Sequence, residues 1–445
     1  MINTVKKFST GIFCVFLLTA FSSSCKKPGT DDSALLLAGL VSSQSQDSGF
    51  YVTERMAIID GAVSGTVADN EALALRIANL IASHIKLTLQ VNYNYPFEWI
   101  TAGQTEDTTV ITDTTSVLLV RPPALHTDGI TVIKGNVIEV CNSGYATAAM
   151  NTGKYHAPAL PCKVQVWADH ANNKIYVDMT DPRSIFKLFF TDVTDPSTLL
   201  DTKGNIVDPQ TVYDEIQTLV KDALLASVPV SGLAALTNNI TWVKTKIGPA
   251  VSSSDARGAE KPYIVERWLD SGADANTASD AAILIMDALG STGADGSAID
   301  LTAAKTAAEG WRNARVAVTK GTGTFASATN SYALSFPLGI KIIEPCSPKY
   351  AKTAMKYGMW HVGALPCKVA VYEDGGALYV SYLNPTFMFN VLFRDAKIDP
   401  ADASLVDNVK ADIKSIVSQG LTGKTVTVGG TLHATPVDVT STVVK

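Results

Sequence analysis

Apolar and polar residues alternate along Lys163-Val164-Gln165-Val166-Trp167 and again along Lys174-Ile175-Tyr176-Val177-Asp178-Met179, the period-two pattern of a half-buried strand. The same alternation returns at Val369–Tyr372 and Ala377–Tyr382. There Glu373-Asp374-Gly375-Gly376 supplies a tight hairpin turn, where the earlier pair is joined by the longer Asp169-His170-Ala171-Asn172-Asn173. Each hairpin leads through a Pro into a phenylalanine-rich stretch, Ile185, Phe186, Leu188, Phe189, Phe190 and then Met388, Phe389, Val391, Leu392, Phe393, apolar on nearly all sides and so expected to be buried. The period then changes to 3.6. Ile216, Leu219, Val220, Ala223 and Leu224 mark one helix, and Leu405, Val406, Val409, Ile413, Ile416 and Val417 another, with Gly420 placed to stop it. Upstream, 72–85 and 281–289 read as helices, the latter with Ser279 as its cap. This order, met twice, predicts an α+β chain: two tandem copies of a small antiparallel-sheet domain with packed helices.

The duplication is explicit between Cys141–Trp167 and Cys346–Tyr372. At a constant offset of 205, fourteen of 27 positions are identical, among them Cys141/Cys346, His156/His361, Cys162/Cys367 and Lys163/Lys368. The expected division is a first repeat domain at 49–245 (core 135–226) and a second at 246–445 (core 338–420), with the polar Val251–Pro262 as the linker. Apolar stretches that one repeat would leave uncovered suggest that the two pack on each other as an intrachain pseudo-dimer.

"EPCSPKYAKTAM" with "ALPCKVAVYEDGGALYVSYLNP" resembles the bacterial domain-of-unknown-function-302 family, whose members carry a Cys-Asn-Pro-like turn, a helix, Leu-Pro-Cys and a Tyr-Glu-Asp-Gly hairpin. The first copy departs from this: "EVCNSGYATAAM" lacks the Pro and "WADHANNKIYVDMTDP" replaces the Glu-Asp-Gly turn. "NYNYPFEWITAGQTEDTTVITDTT" has no match and reads as an insertion. The resemblance implies a small α+β fold with an antiparallel sheet and no activity.

At the N-terminus, Lys6 and Lys7 precede an apolar run from Gly11 to Phe21, about half of the roughly 20 residues a membrane-spanning helix needs. Ser22, Ser23 and Ser24 then lead into Cys25. The arrangement resembles a bacterial lipoprotein signal with the relaxed lipobox of spirochaetes: signal peptide 1–24, lipidation at Cys25, and a polar tether over 25–48. The implied location is the bacterial cell envelope, at the periplasmic face or outer surface, with the membrane as partner through the lipid. A net charge of −6 with no Lys/Arg cluster argues against nucleic acid. Hydrophobic content of 46% with 18% charged residues is that of an ordinary globular chain, and 445 residues exceed one ordinary core.

Export leaves Cys141, Cys162, Cys346 and Cys367, and three readings of Cys-x14-His-x5-Cys stand open. Cys141–Cys162 and Cys346–Cys367 form intra-repeat disulfides, with His156 and His361 as hydrogen-bonded core residues. Alternatively the thiolates and imidazoles bind copper or zinc, or haem iron enters the Phe-rich pocket. Or the cysteines are redox-active or nucleophilic, which requires a positive neighbour such as Lys163 or Lys368. His84, His126, His170 and His433 have no counterpart in the other copy, and Asp178, Asp181, Asp295 and Asp300 read as loop residues. "GAVSG" at Gly61 lacks the nucleophile-elbow register, and no His-Glu-x-x-His, P-loop or dinucleotide fingerprint occurs. The expectation is therefore a binding or structural module with no catalytic residue and no cofactor, whose partner is a small ligand or an envelope or host protein.

Overall fold

The computed structural model describes residues 50–87, 99–101, 117–125, 132–160, 162–193, 199–200, 204, 207–226, 236–252, 254–255, 260–289, 312–313, 334–335, 337–346, 355, 358–364, 367–396, 403–428, 431–432 and 440–445. The signal segment with Cys25, the tether to residue 48, most of the expected insertion, His126, His433, Asp295 and Asp300 lie outside them.

The first repeat opens with β1 (Phe50–Asp60) and α1 (Val67–Leu87), followed by β2 (Trp99–Thr101), β3 (Val117–Leu125) and β4 (Val132–Asn142). Then come α2 (Ser143–Asn151), a 3-10 turn (Lys154–Ala159), β5 (Cys162–Asp169), β6 (Lys174–Thr180), α3 (Pro182–Phe189), α4 (Pro209–Leu225) and β7 (Ile240–Val251). The second repeat runs through β8 (Tyr263–Leu269), α5 (Ala275–Ala288), β9 (Arg312–Asn313), β10 (Leu334–Ser335), β11 (Lys341–Ile343) and β12 (Pro345–Cys346). It continues with a 3-10 turn (Met359–Ala364), β13 (Val369–Asp374), β14 (Ala377–Leu383), a helical stretch over 385–392, α6 (Leu405–Leu421), β15 (Thr427–Val428), β16 (Thr431–Leu432) and β17 (Ser441–Val444). The first sheet has the order β2-β4-β5-β6-β1-β7, with β3 also on β4, and the second β10-β11-β13-β14-β8-β17. The pairings within both are antiparallel, so the sheets share one topology and the α+β class holds. β7 follows β1 along its length, so the first sheet keeps the chain to Val251 and the passage to the second occupies 252–262.

The period-two pattern sorts each sheet's side chains onto two faces. Ile138, Val140, Val164, Val166, Val177 and Met179 pack with α1 and α4 in one core. Ile343, Val369, Val371, Val380 and Tyr382 pack with α5 and α6 in its counterpart. The remaining apolar side chains form two clusters that mix the repeats: Val137, Phe189 and Phe190 with Tyr263, Val362 and Phe387, and Cys141, Met150 and Ala157 with Ile342, Ala370 and Tyr372. Each 3-10 turn lies on the other repeat's sheet, Lys154–Ala159 against β13 and β14 and Met359–Ala364 against β4 and β5. Close approach is enforced at Gly135, where an added Cβ would stand 2.3 Å from Val362 Cγ2.

Two local expectations are overturned. Gly420 does not stop α6, which runs on to Leu421; a Cβ there would come within 2.7 Å of Ile285 Cα, so the glycine lets two helices touch. Ser279 does not cap α5, which begins at Ala275. Asp274 and Thr277 cap it instead, Thr277 N–H donating to Asp274 Oδ1 at 2.9 Å and Asp274 N–H to Thr277 Oγ1 at 3.0 Å. Among the described residues no helix is long and apolar enough to cross a membrane.

Candidate functional site between the repeats

Strand register decides where the predicted cysteines go. Val140 pairs with Cys162, so Cys141 and Cys162 project from opposite faces of the first sheet. Cys162 borders the helix-side core, and Cys141 sits among Ala370 and Tyr372 of the second repeat. Among the described residues Cys141, Cys162 and Cys367 are free thiols, and none of the three is bridged as the intra-repeat reading expects. Cys346 lies in β12, opposite Arg312 of β9. Burial pushes the Cys162 thiol up to about 12 and Cys367 up to about 11, and raises Cys141 further still. Burial therefore opposes the thiolate that metal binding or nucleophilic attack requires. Among the described residues no three His, Cys, Asp or Glu side chains converge in a metal-holding arrangement.

The residues brought together at the face between the sheets are instead Glu139, Lys163 and Lys368, joined by Glu344. Glu139 and Lys163 are cross-strand partners on β4 and β5. Glu139 and Glu344 are 0% exposed, Lys163 6% and Lys368 2%. Glu139 Oε1 is shared: Lys368 Nζ stands 3.0 Å from it and Lys163 Nζ 3.8 Å. Lys368 also donates to the Leu160 carbonyl at 2.5 Å, a contact made across the repeats. Burial, reinforced by the Lys368 charge, lowers the Lys163 amine to about 8 against the pull of Glu139 and Glu344. Both glutamates obey the 205-residue offset. The repeat alignment begins two residues too late to include them, and a charge inside an otherwise apolar strand is the signal that marks them. Beside this cluster Gln165 is fully buried, and its amide makes no hydrogen bond among the described residues. It faces Gly363, whose added Cβ would lie 2.6 Å from Gln165 Oε1.

His156 and His361 occupy matched sites in the two 3-10 turns, both buried. His156 Nε2 stands 3.0 Å from Asp192 Oδ1, with Nδ1 3.0 Å from Thr152 Oγ1. His361 Nε2 stands 2.9 Å from Asp395 Oδ1. Each carboxylate also accepts from the aromatic residue preceding its histidine, Asp192 from Tyr155 OH and Asp395 from Trp360 Nε1–H at 3.0 Å. Burial lowers the His156 imidazole to about 3 and raises the Asp192 carboxyl. At Asp395 burial also opposes charge, but hydrogen bonds from His361 and Trp360 outweigh it and hold the carboxyl below its ordinary value. Sequence reasoning missed both aspartates, which follow Phe190 and Phe393 by two residues. Of the unmatched histidines, His170 Nε2 meets Glu71 Oε1 at 2.8 Å and His84 is buried.

Above the cluster lies a cavity of about 140 Å³. Its walls come from both repeats: Phe186, Phe189 and Ile185 of α3 and Ala149 of α2 on one side, Leu392 and Trp360 on the other. Lys163, Lys368, Cys141, Cys162 and His361 also reach it, the main chemically distinctive groups in a lining that is otherwise mostly apolar. This is the composition of a small-molecule site, with apolar walls and few polar groups.

Fold and site together define a two-repeat α+β protein with a cavity at the junction of its repeats. Two stretches of the chain, 124–206 and 326–419, match the model of the domain of unknown function DUF302, one in each repeat, and they include both Glu-Lys pairs and both His-Asp pairs. A solved structure of an uncharacterized conserved DUF302 protein from Bacillus stearothermophilus is similar to the chain at 14% identity, covering 35% of this chain and 96% of its own, with a TM-score of 0.21. No curated protein matches the chain.

Proposed function

We propose that this is an exported binding protein, held to the bacterial envelope by lipid on Cys25, that takes up a small apolar molecule in the cavity between its repeats. The observation that carries the binding reading is the cavity itself. At about 140 Å³ it is close to the cavity of about 150 Å³ that suffices in another protein to hold benzene. The buried thiols, raised by desolvation, favour this reading over metal or redox chemistry. The export reading is supported by the run from Lys6 through Ser24 to Cys25.

Thermal unfolding in the presence of benzene or hexanol tests the binding reading. A ligand at a hundredfold its dissociation constant stabilises by about 2.7 kcal/mol, which raises Tm measurably. Ala149→Leu, which fills the cavity, is expected to abolish the rise. A folded protein whose Tm neither compound moves would sink the proposal. Expression of a Cys25→Ser variant tests the anchor: loss of the lipid mass and release from membranes is expected, and unchanged membrane association would refute it.

A further inference from the structure

The cavity carries more than apolar walls. Two lysines reach it from matched positions in the two repeats, and both amines are directed at one carboxylate oxygen. Lys368 Nζ lies between Glu139 Oε1 at 3.0 Å and the Leu160 carbonyl at 2.5 Å. Lys163 Nζ stands 3.8 Å from the same oxygen. Two ammonium groups drawn to one carboxylate oxygen repel each other, and burial adds to that repulsion in favouring the neutral form of an amine.

We infer that the Lys163 amine forms a reversible imine with the carbonyl of an aldehyde or ketone held in this cavity. The inference rests on the cavity reading above and names the class of ligand. In the step, the neutral amine nitrogen attacks the carbonyl carbon, a C–N bond forms, and a carbinolamine results. Its oxygen then departs as water with the two protons that began on the amine nitrogen, leaving C=N. No oxidant or reductant takes part.

Three features favour Lys163. The charged groups around it are Lys368, Glu139 and Glu344, with the Cys367 thiol nearby, and their balance together with burial brings the amine to about 8, where a usable fraction is neutral near physiological pH. The apolar walls limit the water that would hydrolyse an imine. The neighbouring thiols, Cys162 at about 12 and Cys141 above it, are protonated and do not compete for the carbonyl.

The test uses the full chain with hexanal and sodium cyanoborohydride near pH 8, followed by intact mass and peptide mapping, with hexanol as the non-reactive probe of the cavity. One hexyl group on Lys163, added about a hundredfold faster than on any exposed lysine because of its larger neutral fraction at pH 8, is the expected result. Prior saturation with hexanol is expected to suppress it in the unaltered protein. Lys163→Arg, shown to be folded by an unchanged far-ultraviolet circular dichroism spectrum, should remove the adduct. Hexyl groups spread evenly over exposed lysines, with the hexanol shift intact, would overturn the imine and leave the cavity reading standing. No hexanol shift and no Lys163 adduct would overturn both.

Discussion

Replacing Glu139 by Gln removes a carboxylate oxygen that contacts both buried lysines while changing almost no volume. At an effective dielectric near 20, the Lys368 contact at 3.0 Å supplies about 5.5 kcal/mol of attraction and the Lys163 contact at 3.8 Å about 4.4 kcal/mol. Repulsion between the ammonium groups and the lost hydration of three buried ions offset most of that gain. What the variant exposes is the cost of leaving buried cations without their main counter-ion, about 3–5 kcal/mol. In urea unfolding of Gly49–Lys445, one compact unit, Glu139→Gln should lower the midpoint by that equivalent. A second change, Lys163→Met, should recover part of the loss by removing one of the two buried positive charges. Lys163 also fixes the sign of the pH response. Its folded value of about 8 lies below the ordinary 10.5, so above pH 8 the unfolded chain holds the proton that the folded chain releases, and stability from this group rises with pH. The raised thiols act in the opposite sense above their ordinary value of 9, so the rise is to be sought between pH 7 and 9. A Glu139→Gln loss below about 1 kcal/mol, with no recovery on adding Lys163→Met, would refute the reasoning.

Gly135→Ala drives a methyl group into Val362 of the other repeat and should cost about 1–3 kcal/mol in urea unfolding, partly restored by Val362→Ala; equal stability would deny that close contact. His156, lowered from 6.5 to about 3, contributes stability that is present above pH 6.5 and is lost on acidification at up to about 1.4 kcal/mol per pH unit, with the raised Asp192 opposing it at lower pH. His156→Gln should therefore flatten the acid limb of a pH-stability curve, and an unchanged limb would contradict the assignment. Cys141, Cys162 and Cys367 should resist an aromatic disulfide reagent in the native protein and react on unfolding, whereas blocked sulfurs after unfolding would show disulfides.

Much of this architecture is legible in the chain because local periodicity writes it there. The alternation at 163–167 and 369–372 placed strands, and the shared offset placed two domains, since both depend on neighbours in sequence. What escaped depends on register and contact at a distance. Cys141 and Cys162 look like bridge partners by spacing, yet the pairing of Val140 with Cys162 sends their sulfurs to opposite faces. Gly420 looks like a helix stop, yet its missing side chain accommodates Ile285 more than a hundred residues away. Lys163 looked like a mere neighbour of a cysteine, because Glu139 comes beside it only when β4 pairs with β5.

Gln165 lies against Gly363, while the equivalent positions in the exchanged copies are Ala370 and Pro158. Two separate copies of a single repeat would have to present the same residue twice at such a contact, so any change would act on both sides at once. Joining the copies in one chain lifts that constraint. One half can carry an amide where the other carries a methyl group, and the seam can drift away from symmetry. The covalent connection also fixes the effective concentration of each half for the other, so dilution cannot part them.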